Sequence, residues 1–356
     1  MFSIIDRYII KKFLTTFFFM MGVIMILTTV FDLADKLNDF LQSGATWNEI
    51  FFDYYLNFIL LYGNMFSAMI IFISVIWFTS KMAQDTEIIP IWNSGRNFGR
   101  YIRPFMISAT LLMLLSLVVN HLLVPRANKV RLEFEEKYYW NSMEVSDYHA
   151  EYPGNQVVYF SSYSSSTGFA NDFTVEQWDD KGNMLSLLHA KSAEENDGKW
   201  TMHDCFIHHY GDPKDRIVEK HKIDTSFQFV MSDMAKRSNA AEAMSYSELK
   251  EFIEKERKKG SKQVPTYETV LYERSSLPFS TYVLTIIGVA VASRKKRGGI
   301  GVNIALGLGI IFIYIFAMKV TSVAALNLGF PTYMAAWLPN ILFGSVAYLL
   351  YRNVQR

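Results

Sequence analysis

Residues 13–31 read FLTTFFFMMGVIMILTTVF, nineteen residues without a charge. At a helical rise of 1.5 Å per residue this run is about 28 Å long, close to the ~30 Å hydrocarbon core of a bilayer. One such run fits a buried core helix as well as a membrane span. Five more follow: Tyr54–Thr79, Pro104–Val124, Leu277–Ser293, Ile300–Val320 and Tyr333–Tyr351. All are free of Asp and Glu except at their ends. Three lie before a long polar insert and three after it, a pattern that predicts six transmembrane helices. Leu277–Ser293 is short, and is expected to borrow Ser275 and Ser276.

The composition agrees once the chain is read as two materials. Of 356 residues 51% are hydrophobic and 19% charged, an average over apolar runs and a polar insert. Lys and Arg number 35 against 34 Asp and Glu, so no basic excess points to nucleic acid and no acidic excess to a disordered tail. A single cysteine, Cys205, excludes an intramolecular disulfide and a cysteine-based zinc cage.

Basic residues near span ends orient the chain, because cytoplasmic loops collect Lys and Arg. Arg7, Lys11 and Lys12, then Lys81, Arg96, Arg100 and Arg103, fall on one side. Arg294 to Arg297 join them there, with Arg352 and Arg356, whereas the short loops opposite hold only Lys36. Both termini are therefore expected in the cytoplasm. The first apolar run is too long for a cleavable signal, and no small-x-small site follows it.

The same rule places the insert, Pro125–Ser276, outside. It opens on a helix-compatible run, Arg126–Trp140, which extends the third span. Strand candidates follow at Gln156–Ser161, Asp172–Trp178, Met184–Ala190, Trp200–Tyr210 and Thr225–Val230, separated by turn residues such as Gly154-Asn155 and Asp180-Lys181-Gly182-Asn183. Such strands predict a sandwich or jellyroll-like domain. Tyr159, Phe173, Val175, Leu187, Trp200, Phe206 and Phe227 are the expected inner face. Ser245 and Glu248 fit a capping box for a return helix with Leu249, Phe252 and Ile253 on one face.

Between spans two and three, Asp85 or Thr86 is expected to cap a short helix, with Glu87 in its first turn and Ser94-Gly95 as its stop. Ile88, Ile89 and Trp92 form an apolar stripe. The stripe either lies in the membrane interface or seats in a groove of a partner protein. Pro90 should shorten or kink this helix.

These features, in this order, resemble the LptF/LptG (YjgP/YjgQ) family, permeases of the lipopolysaccharide-transport ABC exporter. The resemblance runs through Ile5-Asp6-Arg7-Tyr8-Ile9, Asp85–Arg100 and Pro125. It continues at Tyr267, Arg274–Pro278, Gly298-Gly299 and Trp337-Leu338-Pro339-Asn340. The Asp-Arg-Tyr opening leans toward the G-like member. The resemblance implies an inner-membrane permease organised as spans one to three (1–124), a periplasmic domain (125–276) and spans four to six (277–356). Its implied partners are a cytoplasmic ATPase dimer, a second homologous permease, a single-span periplasmic adaptor and lipopolysaccharide. It implies an ATPase-coupling role for Glu87, Ile88, Ile89, Trp92, Gly95 and Arg96, with Glu87 at the family's coupling-helix glutamate.

On the residues alone, an envelope scaffold and an intramembrane lipid enzyme remain rivals. No P-loop, His-Glu-x-x-His or Gly-x-Ser-x-Gly motif occurs, so no catalytic or cofactor site is expected and energy must come from a partner or a gradient; the near absence of acidic residues and His inside the spans favours a partner. His203, Cys205 and His209 should share one strand face, read as a polar face rather than a metal site. Lys319, Arg274 and Arg126 sit at outer span ends. They either snorkel to headgroups or form a cationic ring for the phosphates of an acidic glycolipid, with Asp32 and Lys36 at the mouth of span one. Gly301, Gly307 and Gly309 make span five smooth, for close packing or for a lateral gate.

Overall fold

The computed structural model describes residues 3–93, 97–138, 144–152, 154–164, 168–196, 199–211, 215–227, 240–261, 263–293 and 299–354. Six helices are long and apolar enough to cross a membrane: α1 (Ile4–Ser43), α2 (Trp47–Gln84), α4 (Phe98–Tyr138), α6 (Val264–Ala292), α7 (Gly299–Asn327) and α8 (Thr332–Val354). A short α3 (Ile88–Asn93) joins α2 to α4. Five of the apolar runs lie wholly within these helices and the fourth overruns α6 only by Ser293, while most helices continue well past the runs. The backbone ladder persists through charged residues once the helix leaves an apolar surrounding, so hydropathy marks the span and not the helix end. Caps mark the ends instead. Ser3 and Asp6 form a reciprocal capping box at the start of α1, and Gly44 closes it at φ 71°.

Two compact units result, Met1–Phe134 with Pro265–Arg356, and Glu135–Val264. The expected insert Pro125–Ser276 therefore starts and stops inside helices of the first unit.

In that unit α2 lies between α1 and α7; α1 also packs on α4, and α7 on α8. Lipid offers no hydrophobic drive between helices, so association relies on close packing and interhelical hydrogen bonds. Both are present. Gly288 of α6 lets Val75 and Phe72 of α2 approach. Asn303 donates to Ser80, Ser116 to Asn64, Tyr282 to Thr110, and Tyr314 to Asn340.

Two of the intramembrane prolines have a specific remedy. Pro278 in α6 cannot donate to the carbonyl of Arg274, and Asn120 of α4 supplies that bond at 3.0 Å. Pro339 in α8 likewise frees the Ala335 carbonyl, which accepts from Thr321 of α7 at 2.9 Å. Asn120→Leu and Thr321→Val should each lower the melting temperature in detergent, a loss of about 1–2 kcal/mol. The same changes should cost far less beside Pro278→Ala or Pro339→Ala, which restore the missing N–H. Equal costs in both backgrounds would show that the paired carbonyl is not the reason.

The second unit carries one antiparallel meander of six strands in sequential order: β1 (Glu144–Tyr152), β2 (Gln156–Ser164), β3 (Phe169–Trp178), β4 (Met184–Asn196), β5 (Lys199–His209) and β6 (Arg216–Thr225). It is consistent with the jellyroll-like domain expected. Four strand candidates coincide with β2 to β5. β6 lacks an alternating pattern, being charged on successive residues as edge strands often are, whereas β1 alternates Tyr148, Ala150 and Tyr152 inward with Asp147, His149 and Glu151 outward. The candidate Thr225–Val230 contributes only Thr225, the end of β6; residues 228–230 lie outside the described residues. The capping box at Ser245 forms, and α5 (Tyr246–Lys258) buries Leu249 and Ile253.

The inner face does not follow simple alternation. Phe160 and Tyr163, Ala170 and Phe173, Ala190 and Ala193, and Met202 and Cys205 all point into one core, spaced by three rather than two. In β3 and β5 the extra residue includes an aspartate at positive φ, Asp172 at 51° and Asp204 at 50°, and β1 has Asp147 at 51°. Asp is one of the few residues that tolerates this conformation. The strand pairing passes over Asp147/Ser161, Asp172/Lys191 and Asp204/His221, so one bend line crosses the sheet. Phe173, Val175 and Trp200 are buried as expected, and Phe227 packs against them. Tyr159, Leu187 and Phe206, also expected inward, are only half-buried and alternate with the inward Val158, Leu188 and Cys205.

Candidate functional site

The α2–α3 junction is the most constructed surface feature of the membrane unit. Asp85 closes α2, and Thr86 takes the left-handed conformation at φ 63°. Thr86 N donates to Ala83 O at 3.3 Å and Glu87 N to Met82 O at 2.9 Å, the two bonds of a Schellman motif. Asp85 and Thr86 thus end one helix rather than cap the next, and Glu87 precedes α3 instead of lying in its first turn. Pro90 is the third residue of α3, where the N–H has no helical partner, so it does not break the helix.

The expected stripe is also reoriented. Ile88 is 2% exposed and Ile91 7%; both enter the core formed by Ile9, Phe13, Met82, Phe98 and Tyr101. Ile88 is therefore packed within its own chain, against the expectation of an open docking stripe. Ile89 stands 50% exposed beside an exposed Pro90. The Trp92 side chain, Gly95 and Arg96 lie outside the described residues. Sequence reasoning missed Ile91, and it missed that Glu87 contacts α1. Tyr8 Oη donates to Glu87 Oε2 at 3.0 Å, and Lys12 Nζ lies 3.6 Å from the same oxygen. The spacing of Ile88 to Ile91, and of Tyr8 to Lys12, was the available signal.

At the opposite end of the bundle the cations fall into different environments. Lys36 bridges Asp32 at 3.0 Å, donates to Tyr54 Oη and lies 4.8 Å above its ring. Tyr54 Oη in turn donates to Asp32 at 3.0 Å from a fully buried position in a π-helical turn. Asp32 and Lys36 thus neutralise one another. Arg274 is 5% exposed, buried inside the bundle and not on an open ring. Helix packing explains this: Glu273 accepts from Ser322 of α7, and the Arg274 carbonyl accepts from Asn120 of α4, so α6 is enclosed here. Lys319 and Arg126 are exposed and make no hydrogen bond or ion pair among the described residues. They differ in depth. Arg126 lies six residues, about 9 Å, beyond the Asn120 level, whereas Lys319 lies about 4.5 Å short of Ser322.

The glycine stripe divides too. Gly307 abuts Ile76 and Phe72 of α2, while Gly301 and Gly309 have open space above them. In the sheet, the bend at Asp204 puts His203 and Cys205 on opposite faces, against the shared face expected. Cys205 is 3% exposed, and burial together with the neighbouring Asp204 carboxylate pushes its thiol up. His203 instead lies 4.0 Å from Glu194.

No curated protein sequence matches the chain. The family model for the lipopolysaccharide export system permease LptF/LptG matches residues 7–353. That match takes in all six membrane helices and the inserted sheet, and the chain belongs to this family of multi-pass inner-membrane lipopolysaccharide permeases.

Proposed function

We propose that the chain is one permease half of an ABC-type exporter that extracts lipopolysaccharide from the inner membrane. It passes the lipid to a periplasmic bridge and draws its energy from a separate ATPase dimer. It works beside a second homologous permease and a single-span periplasmic adaptor, with the Asp6-Arg7-Tyr8 opening favouring the G-like half. Both termini and α3 then face the cytoplasm, and the sheet faces the periplasm, as the Lys and Arg distribution requires.

The observation that carries this reading is α3: a short helix anchored from below by Ile88 and Ile91, presenting Ile89 and Pro90 outward. A chain without a nucleotide-binding loop needs such a contact to receive work from an ATPase. β1 and β6, each paired on one side within this sheet, would accept a strand from a periplasmic partner. Lys319 and Arg126, at their two depths, would each be available to a phosphate of the substrate.

Affinity purification of the native complex is the test. A stoichiometric ATPase that hydrolyses ATP should accompany the chain, and Ile89→Asp should reduce its recovery at least about fivefold. Ile88→Ala should act differently, lowering thermal stability because a buried side chain is truncated. Recovery of the chain with envelope proteins but no ATPase would favour the scaffold instead.

A further inference from the structure

Glu87 is committed inside its own chain, and this bears on how the proposed exporter, on which the inference rests, would transmit force. Tyr8 Oη lies 3.0 and 3.2 Å from the two Glu87 oxygens. Lys12 Nζ lies 3.6 Å from Oε2, donates to Tyr8 Oη at 2.6 Å and sits 4.8 Å from the centre of the Tyr8 ring. Tyr8 and Lys12 are one turn apart on α1, so both reach the carboxylate from one helix face. On the apolar side, Ile88 and Ile91 enter the core that holds Ile9 and Phe13 of the same helix. Just before both contacts runs the Schellman turn, in which a β-branched residue, Thr86, is held at φ 63° by two backbone bonds, so the backbone enters Glu87 from one fixed direction.

Apolar contacts resist separation but are non-directional and allow sliding. Hydrogen bonds to a carboxylate fix register. We infer that Tyr8 and Lys12 are positioning residues: they lock Glu87 so that α3 and the start of α1 move as one body. A push on α3 then enters α1 at Tyr8 and travels along a continuous helix to Asp32, 24 residues or about 36 Å away. Glu87 acts as the pin of this joint, and the outward contact falls to Ile89.

The complete exporter, reconstituted in vesicles containing lipopolysaccharide, tests the joint by the amount of lipopolysaccharide extracted per ATP hydrolysed. Tyr8→Phe and Lys12→Met should keep the ATPase bound and hydrolysing while this yield falls about three- to tenfold, the net scale of losing one part-exposed hydrogen bond. Lys12→Arg, which retains the cation, should recover most of the yield. Combining Tyr8→Phe with Glu87→Gln should cost no more than the worse single change, since both break one cluster. Unchanged yield in the two single variants, or losses that multiply in the double variant, overturns the inference. So does a parallel fall of hydrolysis, extraction and melting temperature, which marks a merely structural role. If the unaltered chain recruits no ATPase, the exporter reading itself fails, a result separable from all of these.

Discussion

Gly307→Leu is expected to abolish the folded membrane unit. Gly307 lies on the face of α7 that also carries Asn303, Ile311 and Tyr314, all buried. Asn303 donates to Ser80 of α2 at 3.0 Å, one turn away. At Gly307 the α2 surface comes so close that even a methyl group would overlap Ile76 Cδ1, with Phe72 behind it. Ile76 can yield to a methyl by rotating its end, but an isobutyl group would force the helices apart. The Asn303–Ser80 bond would be lost in an environment without water. Overpacking of this kind costs about 3 kcal/mol or more in a site that cannot relax. Fluorescence-detected gel filtration after heating should show an aggregated or strongly destabilised product. Gly309→Leu is the control, since that position faces open space and its melting temperature should stay near the parent value. A stable Gly307→Leu protein would mean that α2 and α7 do not pack as described.

Lys319→Glu should reduce lipopolysaccharide extraction at least about tenfold with little change in melting temperature. Lys319 is exposed in the last third of α7 and makes no hydrogen bond or ion pair among the described residues, so its removal breaks nothing within the chain. Its positive charge is free to meet a phosphate. At about 4 Å and an effective dielectric near 20 such a contact is worth up to about 4 kcal/mol, and reversal turns it into repulsion. Lys36→Glu should behave in the opposite way. It would place a second acid beside Asp32 and the buried Tyr54, so stability should fall along with extraction. A photo-crosslinker at position 319 should capture the glycolipid during ATP turnover. Labelling of bulk phospholipid alone, with a harmless charge reversal, would leave Lys319 as a snorkelling residue.

Much of this protein is legible in residue order. Membrane spans depend on composition over about 20 residues, so every apolar run coincides with a long helix to within a residue. Caps are local hydrogen bonds, which is why Ser245 and Glu248 mark the start of α5 without tertiary help. β2 to β5 announce themselves by turn residues and apolar content. The Glu87 loop was likewise conspicuous as an apolar stripe in a cytoplasmic-type connection.

Facing is a different matter, because it depends on what each residue meets across space. Ile88 and Ile89 are chemically alike and adjacent; the core beneath α3 buries one and leaves the other 50% exposed. Arg274 and Lys319 both read as cations at a span end, but α6 is enclosed by its neighbours and α7 is open along one side. In the sheet, a single two-residue period cannot hold on both sides of the bend line through Asp147, Asp172 and Asp204, so Phe173, Val175 and Trp200 face inward as expected while Tyr159, Leu187 and Phe206 fall out of phase. Asn120 and Thr321 look like ordinary polar residues until Pro278 and Pro339, distant in sequence, leave carbonyls for them to satisfy. Local patterns record the needs of a helix or strand; which face is buried, which charge is matched and which carbonyl is repaired are settled by the neighbouring segment, and that neighbour is chosen by packing.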